Sequence, residues 1–376
     1  MNKLLLAVAA AALASCATQG VTPPVETPWV SADTRQPADD ALLTRIHFGS
    51  CINQRKSAPI LDTMVSRGAD LTVLLGDNVY GDVEDFSDPT VPELVGAYEM
   101  LADLPEFQRL AAASPIIATW DDHDFGDNDA GGDFPLKEAA ERVFENFWYP
   151  TKSEELHTRP GVYDAFTYGP KGQRVQVILL DTRFFRDPLQ DTDQPGTLGI
   201  ERFMPSDDPN AQMLGEDQEA WLYQALQKPA DLRIIVSSIQ LVAEGHGWEA
   251  WKTMPAARDR LGNILERAGA QSAIVVSGDR HQGGLYQAPL GDVQITELTA
   301  SSINEPQREW RAEAGRTGHE PGPHRLGLPV YDENFGEIDI LWEAKAVALT
   351  IRGMDGEAVR TKVISFPEQR AAYRQH

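Results

Sequence analysis

Cysteine is nearly absent from this chain of 376 residues; only Cys16 and Cys51 occur. A small fold stapled by several disulfides is therefore excluded. Positive charge is also scarce. Lys and Arg total 33 against 57 Asp and Glu, for a formal net charge of -24. Such a chain cannot bind nucleic acid through its overall charge, because phosphate neutralisation needs a basic surface. Long apolar runs are missing as well. The longest opens the sequence, Leu4 to Ala14, and at eleven residues it falls short of the roughly 20 that span a bilayer. Several motifs are absent: Gly-x-Ser-x-Gly, Gly-x-x-x-x-Gly-Lys-Ser/Thr, Gly-x-Gly-x-x-Gly and His-Glu-x-x-His. Their absence removes the usual signatures of serine hydrolases, P-loop enzymes, dinucleotide binders and zincins.

What is present begins with a leader. Lys3 precedes the apolar run, and Leu13-Ala14-Ser15-Cys16 closes it. This reads as a secretory h-region ending in a lipobox, with Cys16 as the lipidated first residue of the exported protein. An ordinary signal peptide cut near Ala14 or Ala17 is the alternative. Ala17 after the modified Cys fits export to the outer membrane of a bacterial envelope. Residues 17–40 carry Pro23, Pro24, Pro28 and Pro37 among small polar residues and read as a tether. Residues 41–376 form the body, and a 42% hydrophobic content suffices for a large packed core.

In the body, short runs rich in Val, Ile and Leu alternate with helical stretches. Strands are expected at Arg45–Gly49, Leu71–Leu75, Ile116–Trp120, Val175–Leu180, Ile234–Ser237 and Ser272–Ser277. Helices are expected at Ala58–Arg67, Pro92–Leu104, Leu136–Trp148, Glu216–Gln227 and Ala256–Ala268. Continuous apolar strands between helices imply an α/β fold with sheets covered on both faces. Val293–Leu298, Glu337–Trp342, Ala346–Arg352 and Ala358–Ser365 follow without helices, as an antiparallel edge or a second sheet. Long loops near 186–214 and 300–334 point to function.

The chemistry sits where strands end. Leu71–Leu75 runs into Gly76-Asp77-Asn78-Val79-Tyr80-Gly81-Asp82, and Ile116–Trp120 into Asp121-Asp122-His123-Asp124 and the acidic stretch to Asp129. Ser272–Ser277 runs into Gly278-Asp279-Arg280-His281, and the first strand into Ser50-Cys51. Ligands of open α/β sheets bind beyond the carboxyl ends of strands. Four such ends each offering Asp, His, Asn, Tyr or Cys describe a metal centre. One Asp after a strand is ordinarily a cap or turn residue, and a lone Cys a small buried hydrophobe. The coincidence of four is what carries the metal reading.

These segments resemble the alkaline phosphatase D (PhoD-like) branch of the calcineurin-like metallophosphatases. The resemblance runs from Phe48 to about Gly336 and adds Leu180-Asp181-Thr182-Arg183, Met213-Leu214-Gly215 with Gln218, Trp221 and Leu222, and Asn334-Phe335-Gly336. It implies a four-layer α/β/β/α sandwich with mixed sheets, an iron-type transition metal with calcium, and hydrolysis of phosphate esters. Carried over by position, Cys51, Asp77 and Tyr80 become ligands of the iron-type ion, with Asp77 bridging to the second site. Asp122 takes the place of a metal-binding Asn, and Asn128 completes the calcium site. Asp279 and His281 match a late Gly-His-x-His motif. His123 then faces the substrate phosphate or leaving group, steadied by Asp124, while a metal-bound hydroxide attacks. Arg183 and Arg280 become phosphate contacts or, equally, structural partners of nearby carboxylates. Trp248, Trp251 and Arg258 match a Trp-rich segment whose reading is core packing, with His246 a further site candidate. Family members often carry an immunoglobulin-like domain ahead of this region; where this sequence has the tether, nothing inferred from that domain transfers.

The partner so implied is a small-molecule or lipid phosphate ester, with the membrane reached only through the lipid anchor. A phospholipase-like phosphodiesterase, a non-catalytic binding lipoprotein and a calcium-binding structural module are the rivals. The last does not account for Cys51, Tyr80 or His281.

Overall fold

The structure is a computed structural model that describes residues 31–366 apart from 33 and 151–158. The leader, Cys16 and most of the tether lie outside the described residues. The end of the tether is docked on the body: the Ala32 amide donates to the Phe147 carbonyl at 3.0 Å, and the Ile116 amide to the Arg35 carbonyl at 3.1 Å.

Two six-stranded mixed sheets carry the fold. The first joins β1 (Arg45–Gly49), β2 (Leu71–Leu74) and β3 (Ile116–Ala118) in parallel. Three C-terminal strands complete it: β12 (Phe335–Leu341) pairs antiparallel with β1, followed by β13 (Ala346–Arg352) and β14 (Ala358–Ser365). The second runs β10 (Gly283–Leu290), β11 (Val293–Ala300), β9 (Ser272–Ser277), β8 (Leu232–Ser237), β5 (Val175–Leu179) and β4 (Asp164–Tyr168). Its four inner strands are parallel and its two edges antiparallel. A two-stranded pair, β6 (Gln190–Asp191) and β7 (Phe203–Met204), lies in the 186–214 loop.

Side-chain alternation builds the layers. Val175, Val177 and Leu179 of β5 join the large core that also holds Ile46, Phe48 and Val73 of the first sheet. Ile178, Ile235 and Val275, on the opposite face, pack with Leu222 and Leu226 of α6 (Gly215–Leu226) and Leu261 and Leu265 of α7 (Pro255–Arg267). The first sheet's core also takes side chains of α1 (Pro59–Arg67), α2 (Pro92–Asp103), α3 (Pro105–Ala113) and α5 (Lys137–Trp148). The four-layer sandwich follows from these two cores.

Local signals set the helix ends. Pro59 opens α1, where its missing N–H costs nothing, and Gly68 closes it at φ 68°. The expected strands and helices are present to within a few residues. Three of the four late strands form the expected antiparallel edge, β12 to β14 on the first sheet, whereas β11 lies apart from them, parallel to β9 in the second. Periodicity fixes a strand but not its partner.

Candidate metal centre

Residues beyond β1, β2, β3 and β9 converge. Cys51 follows β1, Asp77 follows β2, Asp122 and His123 open the short helix α4 (Asp122–Phe125) after β3, and Asp279 to His281 follow β9. The backbone there is unusual. Cys51, Asp77, Asp129, Asp279 and His281 have φ of 62°, 46°, 55°, 69° and 51°, among only seven non-glycine residues at positive φ in the described chain. Left-handed backbone costs a side-chain-bearing residue energy and gathers where geometry serves function. Gly76 makes the approach feasible: a Cβ there would sit 2.6 Å from the Asp121 amide nitrogen.

Donor atoms of Cys51, Asp77 and His281 lie within 4.8 Å of one another. So do those of Asp77, Asp122 and His123, making Asp77 common to both groups. The Cys51 thiol donates to Asp77 Oδ2 at 3.3 Å and lies 3.2 Å from Ser301 Oγ. Burial pushes the thiol up to about 12. Tyr80 Oη is 3.0 Å from His281 Nε2, and the His281 amide donates to Ser301 Oγ at 2.9 Å. Burial pushes His281 down to about 4, so its imidazole is neutral and its nitrogen free to act as a ligand. Burial and the Asp122 charge raise Asp77 well above the ordinary carboxylate range. Burial works against Asp122 too, but the charges of His123 and Arg183 hold it below that range.

His123 is held by a residue that sequence reasoning passed over. Its Nδ1 lies 2.8 and 2.9 Å from the two Asp82 carboxylate oxygens. Its ring stands 4.3 Å from the Tyr80 ring. Burial disfavours the charged ring, yet the Asp122 charge and the Asp82 hydrogen bond raise it to about 9. Asp124 was expected to steady His123 and has other partners. Its carboxylate accepts the amides of Asp121 at 2.6 Å, Asp77 at 3.2 Å and Asn78 at 3.2 Å. Adjacent helical residues point to different faces, so Asp124 turns inward and fixes the Asp77 turn while His123 faces the cavity.

The other expected residues sort by burial. Arg183 is fully buried, with Nε 2.7 Å from Asp121 Oδ1 and a terminal nitrogen 2.6 Å from Glu249 Oε2, an arrangement of structural pairing. Arg186 reaches the same Glu249 at 3.2 Å. Arg280 lines the cavity and lies 3.4 Å from Glu320. Asn128 is exposed on the rim and donates to Asp129 Oδ2 at 2.7 Å. Donor atoms of Asp129, Glu249 and Asp122 form a third group within 4.8 Å. Only the acidity of the 121–129 stretch hinted at Asp129, and nothing local marked Glu249. Trp251 is core, its indole donating to Ser237 Oγ at 2.9 Å, and Arg258 pairs with Glu244 at 2.9 Å. His246 is fully buried; Nε2 meets Gln240 Oε1 at 2.9 Å and Nδ1 accepts the Trp248 amide at 3.2 Å.

A cavity of about 490 Å³ opens over the centre, lined by Asp77, Asp122, His123, Asp279, Arg280 and His281 among others. Trp248 lines it too, as do Arg202 from the first long loop and, from the second, Glu305, Pro306 and the Gln307, Glu309, Trp310 and Glu313 side of α8 (Gln307–Glu313).

The family model described as PhoD-like phosphatase matches residues 46–340. The chain belongs to that family. A curated relative, alkaline phosphatase D of Bacillus subtilis (strain 168), is 30% identical over 195 residues. That alignment takes in 45% of this chain and 31% of the relative, so the chain matches about a third of the relative's length. Among solved structures, one titled Structure of PhoD superposes with a TM-score of 0.64 at 18% identity, covering 88% of this chain and 70% of the other. GAP50, titled the anchor in the inner membrane complex of Plasmodium, gives 0.55 at 14% identity, with 88% and 91% covered. This PhoD-like chain shares its fold with both.

Proposed function

We propose that this PhoD-like protein hydrolyses phosphate esters with the help of metal ions held at the ends of β1, β2, β3 and β9. The observation that carries the reading is Asp77, one buried carboxylate within 4.8 Å of donor atoms of Cys51 and His281 and, separately, of Asp122. The residues fit metals. Asp77 Oδ1 and Asp279 Oδ2 are buried with no hydrogen-bond partner, a costly arrangement unless a cation meets them. Thiol, phenol and imidazole from Cys51, Tyr80 and His281 suit an iron-type transition ion. The oxygen-rich set of Asp77, Asp122, Asn128 and Asp279 suits calcium. When bound, such ions supply Lewis-acid activation of a phosphoryl group and of water.

The chain's own groups do the rest. Arg280, in the cavity wall, binds a phosphate oxygen. Asp82 fixes Nδ1 of His123, which leaves Nε2 to give its proton to the departing alcohol oxygen. Asp124 keeps the Asp77 turn in place. The fold alone does not decide for catalysis, since a protein titled an anchor carries it too. The ligand set and the Asp82–His123 pair favour catalysis over a binding lipoprotein. We place the site on an exported protein, tethered to an envelope membrane through lipidated Cys16. Hydrolysis of an aryl phosphate monoester and diester, with and without a chelator, tests the catalytic reading; turnover that survives complete metal removal rejects it.

A further inference from the structure

The outer edge of the second sheet is covered by a strap from the second long loop. β10 is the edge strand, and residues 324–330 run along it. The Leu326 amide donates to the Leu285 carbonyl at 2.7 Å, the Gln287 amide to the His324 carbonyl at 2.9 Å and the Val330 amide to the Gly283 carbonyl at 2.8 Å. Just ahead of these residues the strap packs closely on the chain that leads to Trp248, where a Cβ on Gly245 would overlap the Pro321 carbonyl. Fixed on both sides, the strap sets Glu320 beside Arg280.

The Glu320 side chain is only 10% exposed. One of its oxygens accepts Gln282 Nε2 at 2.8 Å, and the other lies 3.4 Å from a terminal nitrogen of Arg280. Arg325 stands 3.8 Å from the first oxygen and donates to the Glu320 carbonyl at 2.9 Å. Arg280 and Trp248 belong to the cavity wall, and Glu320 does not. The Arg280 guanidinium lies 5.8 Å from the Trp248 ring centre, and its buried Nε has no hydrogen-bond partner. The guanidinium is therefore held at one nitrogen and over one ring face, with donors left for an anion.

We propose that Glu320 is a positioning residue that holds Arg280 over Trp248, ready for a phosphate oxygen of the substrate. The inference rests on the phosphate contact given to Arg280 above and deepens it. A free arginine loses rotamer freedom when it grips an anion, and a tethered one has already lost it. Gln282 and Arg325 support the carboxylate from behind, so it keeps partners when Arg280 turns to phosphate.

The test uses the full chain with its metals, inorganic phosphate as the probe and titration calorimetry as the first readout. Arg280→Met is expected to weaken phosphate binding by roughly ten- to hundredfold, the worth of a hydrogen bond to a charged group. Glu320→Gln, close in size, is expected to weaken it by about two- to tenfold, the worth of ordering one long side chain. In the Arg280→Met background, Glu320→Gln is expected to add nothing, which a merely structural role would not produce. With 4-nitrophenyl phosphate, Glu320→Gln should raise KM more than it lowers kcat. Dissociation constants and KM report the folded fraction alone. Unchanged or tighter phosphate binding in Glu320→Gln, or an equal loss in the Arg280→Met background, overturns this inference alone. Unchanged binding in Arg280→Met removes the phosphate contact from the proposed function, and this inference falls with it. The titration does not use turnover, so a failure of hydrolysis is read separately.

Discussion

Asp82 and His123 form a carboxylate–imidazole pair across two loops, with Nδ1 of the ring 2.8 and 2.9 Å from the two carboxylate oxygens. One residue follows β2 and the other begins α4, so the pair exists only when β2 and β3 lie side by side. It orients a ring that lines the cavity over the centre.

Removing the ring tests its role. His123→Ala is expected to lower kcat by about 10²–10⁴-fold, the range of a lost general acid, with metal content retained. Asp82→Asn is expected to lose part of that factor, because the ring stays but its Nδ1 partner is neutral. Steady-state kinetics with elemental analysis of the same samples checks both.

Arg183 separates structural pairing from substrate binding. Its guanidinium is buried between Asp121 and Glu249. Arg183→Met is expected to destabilise the fold by about 3–5 kcal/mol, because two buried carboxylates lose their counter-charge. Denaturant unfolding checks this. Unchanged stability with a raised KM would return Arg183 to the phosphate-contact role.

A second ionic cluster governs acid stability. The buried Glu337 carboxylate bonds to His47 Nε2 at 3.0 Å, Arg67 Nε at 2.7 Å and Arg352 Nε at 2.8 Å. Burial opposes ionisation, yet bonds from His47, Arg67 and Arg352 hold Glu337 well below the usual range. A depressed folded value means its stabilisation is present above the unfolded value near 4.3 and is lost as pH falls through the folded one. His47 is lowered by burial, against Glu337, so the unfolded chain takes up a proton below about pH 6.5 that the folded chain resists. Both groups weaken the fold in acid. Glu337→Gln is expected to cost about 2–3 kcal/mol at pH 7, less than a fully buried pair because the arginines reach solvent. It is also expected to flatten the acid limb of a melting-temperature profile.

The sequence shows its ligands because they lie beside strong local signals. Val, Ile and Leu runs mark β2, β3 and β9, Ile46 and Phe48 mark β1, and Cys51, Asp77, Asp122 and His281 follow the strand ends within a few residues. Relations between distant segments were not legible. Asp124 is next to His123 in sequence but faces away, while Asp82 is 41 residues off and makes the contact. Glu249 meets Arg183 from 66 positions away, and no periodicity announces it. Strand β10 escaped notice because it opens with Gly283-Gly284 and contains Pro289, all poor strand formers. Its antiparallel pairing with β11 at the sheet edge compensates.

The account rests most on Asp77, whose carboxylate lies within 4.8 Å of donor atoms of Cys51 and His281 and, separately, of Asp122. The direct measurement is metal content per chain, by elemental analysis, together with aryl phosphate turnover, for the unaltered protein and for Asp77→Asn. The unaltered protein should carry a transition metal and calcium. The variant should lose both metals and turnover while remaining folded, since a neutral amide replaces a carboxylate whose charge burial and then the neighbouring acidic groups disfavour. Full turnover in a metal-free Asp77→Asn protein would contradict the account.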